Sequence, residues 1–411
     1  MRVNRTLSLA SSFVFAATAM FAITTSAYGD ASHPTRVTQA LFALLFVQAA
    51  VFRRLWLSRE LKLNLAFVGY ELLSLAWTDY LKTATTTLPA ILNSTLVLIL
   101  FSGLGAFHNL RALLAGLLAG FMAAAALYTL TSGYPLTYPD GFSYNTVASM
   151  YLSGLFLTLI WGAYTARSIL PLGMSVVLMA LIAATTSIKT NLGIAIGVCG
   201  AGVLYFRLSI REVVKSLLIL GVIGGALAYA IISNPDLTER MENGFARVST
   251  GVGVLTSRES DTGSIGLETR QGWKREGLKG WAANPVFGNG VESFRAEFGI
   301  TSHSTPIDLL YNSGLIGFSL FYSILGSLAW RLLRASERTL RPLRARITIF
   351  LIAYSFISAS GIVYYDQFLY VFVGLTSGLL MRGELGAQRM PEAVTPPADR
   401  GLARAAGAQA S

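Results

Sequence analysis

The sequence predicts an all-α fold: a polytopic membrane protein with about 12 transmembrane helices and one large extracytoplasmic loop containing short helices. Two observations of composition and one of order predict it. Of 411 residues, 53% are hydrophobic and only 13% are charged, well below the charged share of a soluble domain. Mean hydropathy is +0.56. The apolar residues come in successive runs, and the longest interruption is the mostly polar stretch 234–304.

A helix crossing about 30 Å of hydrocarbon needs around twenty apolar residues. Twelve stretches approach that length: 6–28, 35–52, 62–78, 84–104, 110–131, 145–166, 168–187, 190–207, 213–233, 305–332, 345–363 and 366–382. In the first, Arg2 and Arg5 precede an apolar run, and Ala27-Tyr28-Gly29 loosely resembles a signal-peptidase site. The run exceeds a signal core in length, so a retained first helix is expected.

Basic residues set the orientation. With the N-terminus inside, the inner connections hold Arg53, Arg54, Arg59, His108, Arg111, Arg167, Arg207, Arg211 and Lys215, and Arg331, Arg334, Arg338, Arg341, Arg344 and Arg346 follow the tenth span. The short outer connections offer Arg36, Lys82 and Lys189. Both termini are therefore expected in the cytoplasm, with 234–304 facing outward. The organisation is 1–233 (helices one to nine), 234–304 (outer loop), 305–382 (helices ten to twelve) and 383–411, a disordered cytoplasmic tail rich in Ala, Pro, Gly and Arg. The net charge of +11 reads as topology signal, not as a nucleic-acid surface. Cys199 is the single cysteine, which excludes an internal disulfide and a thiolate metal site.

An outer loop, 131–144, carries three tyrosines and a Pro-Asp-Gly turn. It fits an interfacial aromatic belt; the sharper alternative is a lip that stacks on a sugar.

Nearly all the candidate chemistry lies in 234–304. Residues 238–266 show no apolar periodicity, and Ser249–Gly253 reads as flexible loop, since no Gly-Lys-Ser/Thr follows it. Order returns at Leu267. Arg270, Trp273, Lys274, Gly277, Leu278 and Trp281 follow helical spacing on one stripe. Such a stripe suits a helix lying in the headgroup region. It suits equally a helix whose Arg270 grips a diphosphate through its planar fork. Asn284-Pro285-Val286-Phe287-Gly288-Asn289-Gly290 ends that helix in a sharp turn, and 291–298 can form one short helix.

His303 precedes Ser304, Thr305, Pro306 and Asp308. Pro306 suits the first position of a helix and Asp308 the acid of a capping box. The histidine is thus expected just outside a helix N-terminus, where the dipole disfavours imidazolium and leaves a proton acceptor. The same helix end can help bind phosphate. His33 and His108 lie in other connections. Lys189, in the outer turn between helices seven and eight, either snorkels to lipid phosphate or supplies a cation for a buried diphosphate. No acid cluster reads as a divalent-metal site, and no cofactor is implied.

These residues, in this order, resemble the O-antigen ligase and polymerase superfamily of bacterial envelope glycosyltransferases. The resemblance rests on Arg270-x-x-Trp273, on Pro285–Gly290 with Phe294, and on His303 followed by Leu309-Leu310 and Gly314-Leu315-Ile316-Gly317. It spans 180–330 by motif. It implies an inverting, metal-independent transferase of lipopolysaccharide or polysaccharide biosynthesis. Such an enzyme moves a glycan from undecaprenyl diphosphate to an acceptor, lipid A–core for a ligase or another carrier-linked repeat for a polymerase. Arg270 would match the essential loop arginine and His303 the essential histidine, with Lys189, Lys274, Trp273 and Asn289 as substrate contacts. Lys189 stands where ligases typically have arginine, and Ser304 where they usually have asparagine, so ligase and polymerase both stay open, with the loop's place before helix ten favouring ligase. A transporter or flippase, and a non-catalytic scaffold, are the readings of other classes; oligomeric state is not legible.

Overall fold

A computed structural model of the chain describes residues 2–28, 41–45, 58–107, 109–132, 144–164, 169–184, 190, 265–335, 341–359 and 361–389. Helix dominates, and among the described residues there is no strand. In chain order the helices are α1 (Arg2–Tyr28), α2 (Arg59–Ser74), α3 (Leu81–Phe107), α4 (Leu110–Ser132), α5 (Tyr144–Tyr164), α6 (Ile169–Ala184), α7 (Ile265–Ala283), α8 (Ser293–Phe298), α9 (Thr305–Arg334), α10 (Arg341–Ser358) and α11 (Gln367–Arg389). Within α3, α4 and α9, the stretches Leu81–Ala106, Leu110–Leu127 and Thr305–Arg334 are long and apolar enough to cross a membrane.

Where the apolar runs can be compared, they coincide with helices. The third run starts and stops earlier than expected, because Ser58 caps α2 by accepting from the Leu61 N–H at 3.1 Å. The last helix continues to Arg389, past the expected start of a disordered tail at 383. The expected spans 190–207 and 213–233, most of 35–52, the loop 133–143, His33, His108 and Lys189 lie outside the described residues.

Close packing fixes the helix directions. A Cβ at Gly116 or Gly120 would overlap the backbone of Phe13 or Ala17, so α1 and α4 run parallel in contact. Gly105, Gly374 and Gly378 bring α3 and α11 together in the same way. Small residues at such crossings let two backbones approach, which is how apolar helices associate when burial from water gives no drive.

α2 and α9 run antiparallel, pinned at both ends. At one end, Glu60 is fully buried and accepts from Arg331 Nη1 at 2.6 Å, Ser377 Oγ at 2.7 Å and Ser327 Oγ at 3.0 Å. At the other, Ser313 Oγ donates to Glu71 Oε1 at 2.6 Å, and Val291 N–H donates to Ser74 Oγ at 3.1 Å. Between these ends, Phe67 of α2 meets Phe321 of α9 and Tyr364 of the α10–α11 connection. A second aromatic stack, Phe156, Phe350 and Phe372, joins α5, α10 and α11.

Candidate functional site

The site forms where α7, the residues before α9 and the α10–α11 connection meet. The expected helix from 267 is α7, beginning two residues earlier. It does not lie alone on the headgroup region. A Cβ at Gly277 would meet Ile307 and Phe294, and one at Gly280 would overlap the Tyr311 ring. Contacts that advance together from 277 to 280 and from 307 to 311 make α7 parallel to the start of α9. Gly277 and Gly280 therefore mark the face that α7 turns to α9, whereas Leu278 of the expected stripe is 43% exposed.

That face carries Trp273 and Lys274. The Trp273 ring lies against the His303 imidazole, centroids 5.7 Å apart and planes inclined by 35°. Lys274 Nζ donates to the Ala359 carbonyl at 3.3 Å, which ties α7 to the end of α10. Arg270 lies on α7 one turn before Trp273 and Lys274; its side chain is outside the described ones. Lys189 cannot be placed, since it too lies outside the described residues.

The turn 284–290 has a different task from the one expected. α9 is broken at Gly314, whose φ of 62° and ψ of −162° are not helical. In an unbroken helix the N–H groups of Leu315 and Ile316 would bond to the carbonyls of Tyr311 and Asn312. Instead they donate to Pro285 O at 2.9 Å and Val286 O at 3.3 Å. The abandoned carbonyls of Tyr311 and Asn312 accept from Asn289 N at 2.9 Å and Gly290 N at 2.8 Å. Two helical bonds are replaced by four to the turn, so the backbone stays satisfied across the break. Gly288, with φ of 71°, and Gly314 leave no room for a Cβ between the two backbones.

Asn289, expected as a substrate contact, is bonded within this framework. Its Nδ2 donates to Tyr311 O at 3.0 Å and Gly280 O at 3.4 Å, and its Oδ1 accepts from Asn284 at 2.7 Å. The short helix expected within 291–298 is α8. It starts at Ser293, after Glu292 in the left-handed region at φ 60°.

The start of α9 also differs from expectation. Ser304 is the N-cap, with no side-chain cap bond. The expected capping box is absent, because Thr305 is committed elsewhere. Its N–H and hydroxyl both reach the Gly361 carbonyl, at 3.0 and 2.7 Å, and its Oγ1 accepts from Val363 N at 2.8 Å. The shift of one residue puts Asp308 beyond the box position. Its Oδ1 accepts from Ser302 N–H at 3.3 Å, and its Oδ2 accepts from Tyr364 at 3.0 Å and Asn312 Nδ2 at 3.1 Å. At the helix end the Thr305 N–H is thus taken by the Gly361 carbonyl, and the Asp308 carboxylate lies beside it on the Ser302 N–H.

His303 is half-buried and, as expected, sits just outside this helix end. Its φ is 54°, a left-handed conformation that is uncommon for a residue with a Cβ. Ser302 Oγ brackets it, donating to Ser304 O at 2.9 Å and accepting from Ser304 N–H at 3.2 Å.

Below the histidine lies a group of residues that the motifs did not announce. Glu71, Glu292 and Asp308 are buried, and Tyr364 joins two of them, with Glu292 Oε1 at 3.4 Å from its hydroxyl. Glu292 is 3% exposed. Burial first, and the neighbouring charge of Asp308 second, push its carboxyl up from 4.5 to about 7, against the opposing pull of Arg295. Glu71, an acid inside an apolar run, was the one sequence signal for this group.

Protein-family models give no match to this chain, and a search of curated proteins gives no significant match either.

Proposed function

We propose that the chain is an integral membrane glycosyltransferase, ligase-like in type, that moves a glycan from undecaprenyl diphosphate to a hydroxyl of lipid A–core or a similar acceptor. One observation carries the reading. The cationic, aromatic face of α7 packs against the start of α9, so that Trp273 stacks on His303 and Lys274 reaches the neighbouring connection. Arg270 follows on the same helix one turn outward. Base and cations, separated by some thirty positions in sequence, come to one end of one helix. In this reading twelve spans hold 234–304 on the periplasmic side of the inner membrane, with both termini inside.

The chemistry follows from those groups. A glycosyl diphosphate carries its own leaving group, so the protein must neutralise charge as the bond from C1 to the diphosphate oxygen breaks. Arg270, Lys274 and Lys189 take that task. The acceptor oxygen attacks C1 from the opposite side and inverts the anomeric centre, while its proton passes to the His303 imidazole. Trp273 offers a face to a sugar ring as well as to the histidine. A deletion strain separates the two types within this reading. Loss of capped lipid A, with polymer still accumulating on its carrier, identifies a ligase; accumulation of single repeats identifies a polymerase. Normal surface glycan in that strain contradicts both.

A transporter or flippase has one observation in its favour. Helices broken inside the membrane often coordinate ions or substrate in transporters, and α9 is broken at Gly314. The carbonyls released there are taken by Asn289 and Gly290, so the break serves to dock the turn. This favours the transferase.

A further inference from the structure

His303 holds a backbone conformation it does not prefer, and the bonds that impose it can be traced. Ser302 Oγ fixes both polar groups of residue 304. The Ser302 N–H is fixed in turn by Asp308 Oδ1. Asp308 is buried and oriented by Asn312 and by the hydroxyl of Tyr364.

Tyr364 adds a requirement of its own. Its single hydroxyl hydrogen lies between two carboxylate oxygens, Asp308 Oδ2 at 3.0 Å and Glu292 Oε1 at 3.4 Å. One hydrogen serves one of them. The shorter contact is the natural recipient. The longer one becomes a hydrogen bond when Glu292 itself carries a proton and donates it to the tyrosine oxygen. Glu292 Oε2 has no hydrogen-bond partner and lies 4.0 Å from Arg295 Nη1.

We propose that Asp308 is the positioning residue for His303, holding the imidazole against Trp273 through the Ser302 amide, and that Glu292 and Tyr364 keep Asp308 in place through one shared proton. Its consequence for catalysis rests on the transferase reading, whereas the placement of the imidazole does not. The other titratable groups facing this chain of bonds are Glu71 from α2, Arg295 from α8, and Tyr365 and Asp366 from the α10–α11 connection. The carboxyls of Glu71 and Asp366 disfavour a further negative charge, and Arg295 opposes that effect. The value of about 7 for Glu292 makes its proton exchangeable near neutrality.

The test uses the full-length chain in lipid nanodiscs with isotope-labelled histidine. The sequence has three histidines, so a His303→Gln variant assigns the signal. The Trp273 ring displaces the His303 ring resonances, and Trp273→Leu calibrates that displacement. Asp308→Ala is expected to abolish it, whereas Asp308→Asn, which keeps an acceptor for the Ser302 N–H, retains most of it. Tyr364→Phe removes only a hydroxyl and is expected to reduce the displacement even if Asp308→Ala does not fold. In the transfer assay, Asp308→Ala should lower kcat at least tenfold with donor KM changed less than threefold. Wild-type activity should decline above about pH 7 as Glu292 loses its proton, and Glu292→Gln, whatever its absolute rate, should lack that decline. Wild-type displacement in folded Asp308→Ala, or in Tyr364→Phe, overturns the positioning role. A wild-type chain that transfers no glycan overturns the transferase reading and leaves the resonance result standing.

Discussion

The indole of Trp273 and the imidazole of His303 face each other across α7 and the start of α9, ring centroids 5.7 Å apart. An aromatic contact of this kind contributes about 0.5–1.5 kcal/mol beyond its buried area, enough to bias the imidazole toward one orientation. Trp273→Ala is expected to lower transfer about tenfold, and Trp273→Phe about threefold or less. Steady-state rates for both variants check the ordering; equal rates would remove Trp273 from the site.

The parallel packing of α7 on α9 depends on small residues at set positions. Gly280→Ala drives a methyl into the Tyr311 ring, and overpacking of this kind costs about 1–3 kcal/mol. Gly272, on the same helix, meets nothing within 4 Å. Gly272→Ala is therefore expected to be neutral or to stabilise by up to about 1 kcal/mol. Thermal midpoints in detergent distinguish the two.

The docking of the turn onto the break in α9 makes Asn289 and Gly314 determinants of structure. Gly314→Ala places a Cβ at positive φ against the Val286 backbone, with strain of about 1–3 kcal/mol before any clash. Asn289→Ala strips its bonds to the Tyr311 and Gly280 carbonyls, which costs about 1–3 kcal/mol. Both variants should expose the α7 arginines and lysines to trypsin, while donor KM in the folded fraction stays at the wild-type value. A raised KM in an otherwise stable Asn289→Ala would return that residue to substrate contact.

Much of this organisation was legible in the sequence because it follows from one-dimensional pattern. The run 110–131 became Leu110–Ser132, the run 305–332 became Thr305–Arg334, and the stripe from Arg270 to Trp281 became one face of α7. The break at Gly314 was hidden, since apolar residues continue through it and only the partner, Pro285–Gly290, reveals why a break is tolerated. That Ser304, not Thr305, takes the cap position has a similar reason. Gly361, fifty-six residues on, claims the threonine hydroxyl, and no local rule encodes that. The grouping of Glu71, Glu292, Asp308 and Tyr364 was hidden because it joins separate parts of the chain. His303, the helix of the stripe and the turn were legible as local pattern; the bonds that join them were not.

The proton on Glu292 gives stability a sign. Its folded-state carboxyl, raised to about 7 from 4.5, binds a proton more tightly folded than unfolded. The contribution is fully present below about pH 4.5 and is lost as pH rises through about 7, on the order of 3 kcal/mol in all. Thermal midpoints should therefore fall across that window, and Glu292→Gln should flatten the fall. A wild-type midpoint that rises from pH 5 to 7.5, or a fall that is equally steep in the glutamine variant, would contradict the assignment.

The most direct measurement is transfer by the purified chain in proteoliposomes, supplied with an undecaprenyl-diphosphate-linked glycan and an acceptor, and read as released undecaprenyl diphosphate and extended product. The account predicts transfer by the wild-type chain and a loss of at least about a hundredfold in both His303→Ala and Arg270→Ala. Transfer at the wild-type rate by either variant, or movement of the donor lipid across the bilayer without any bond being made, would contradict it.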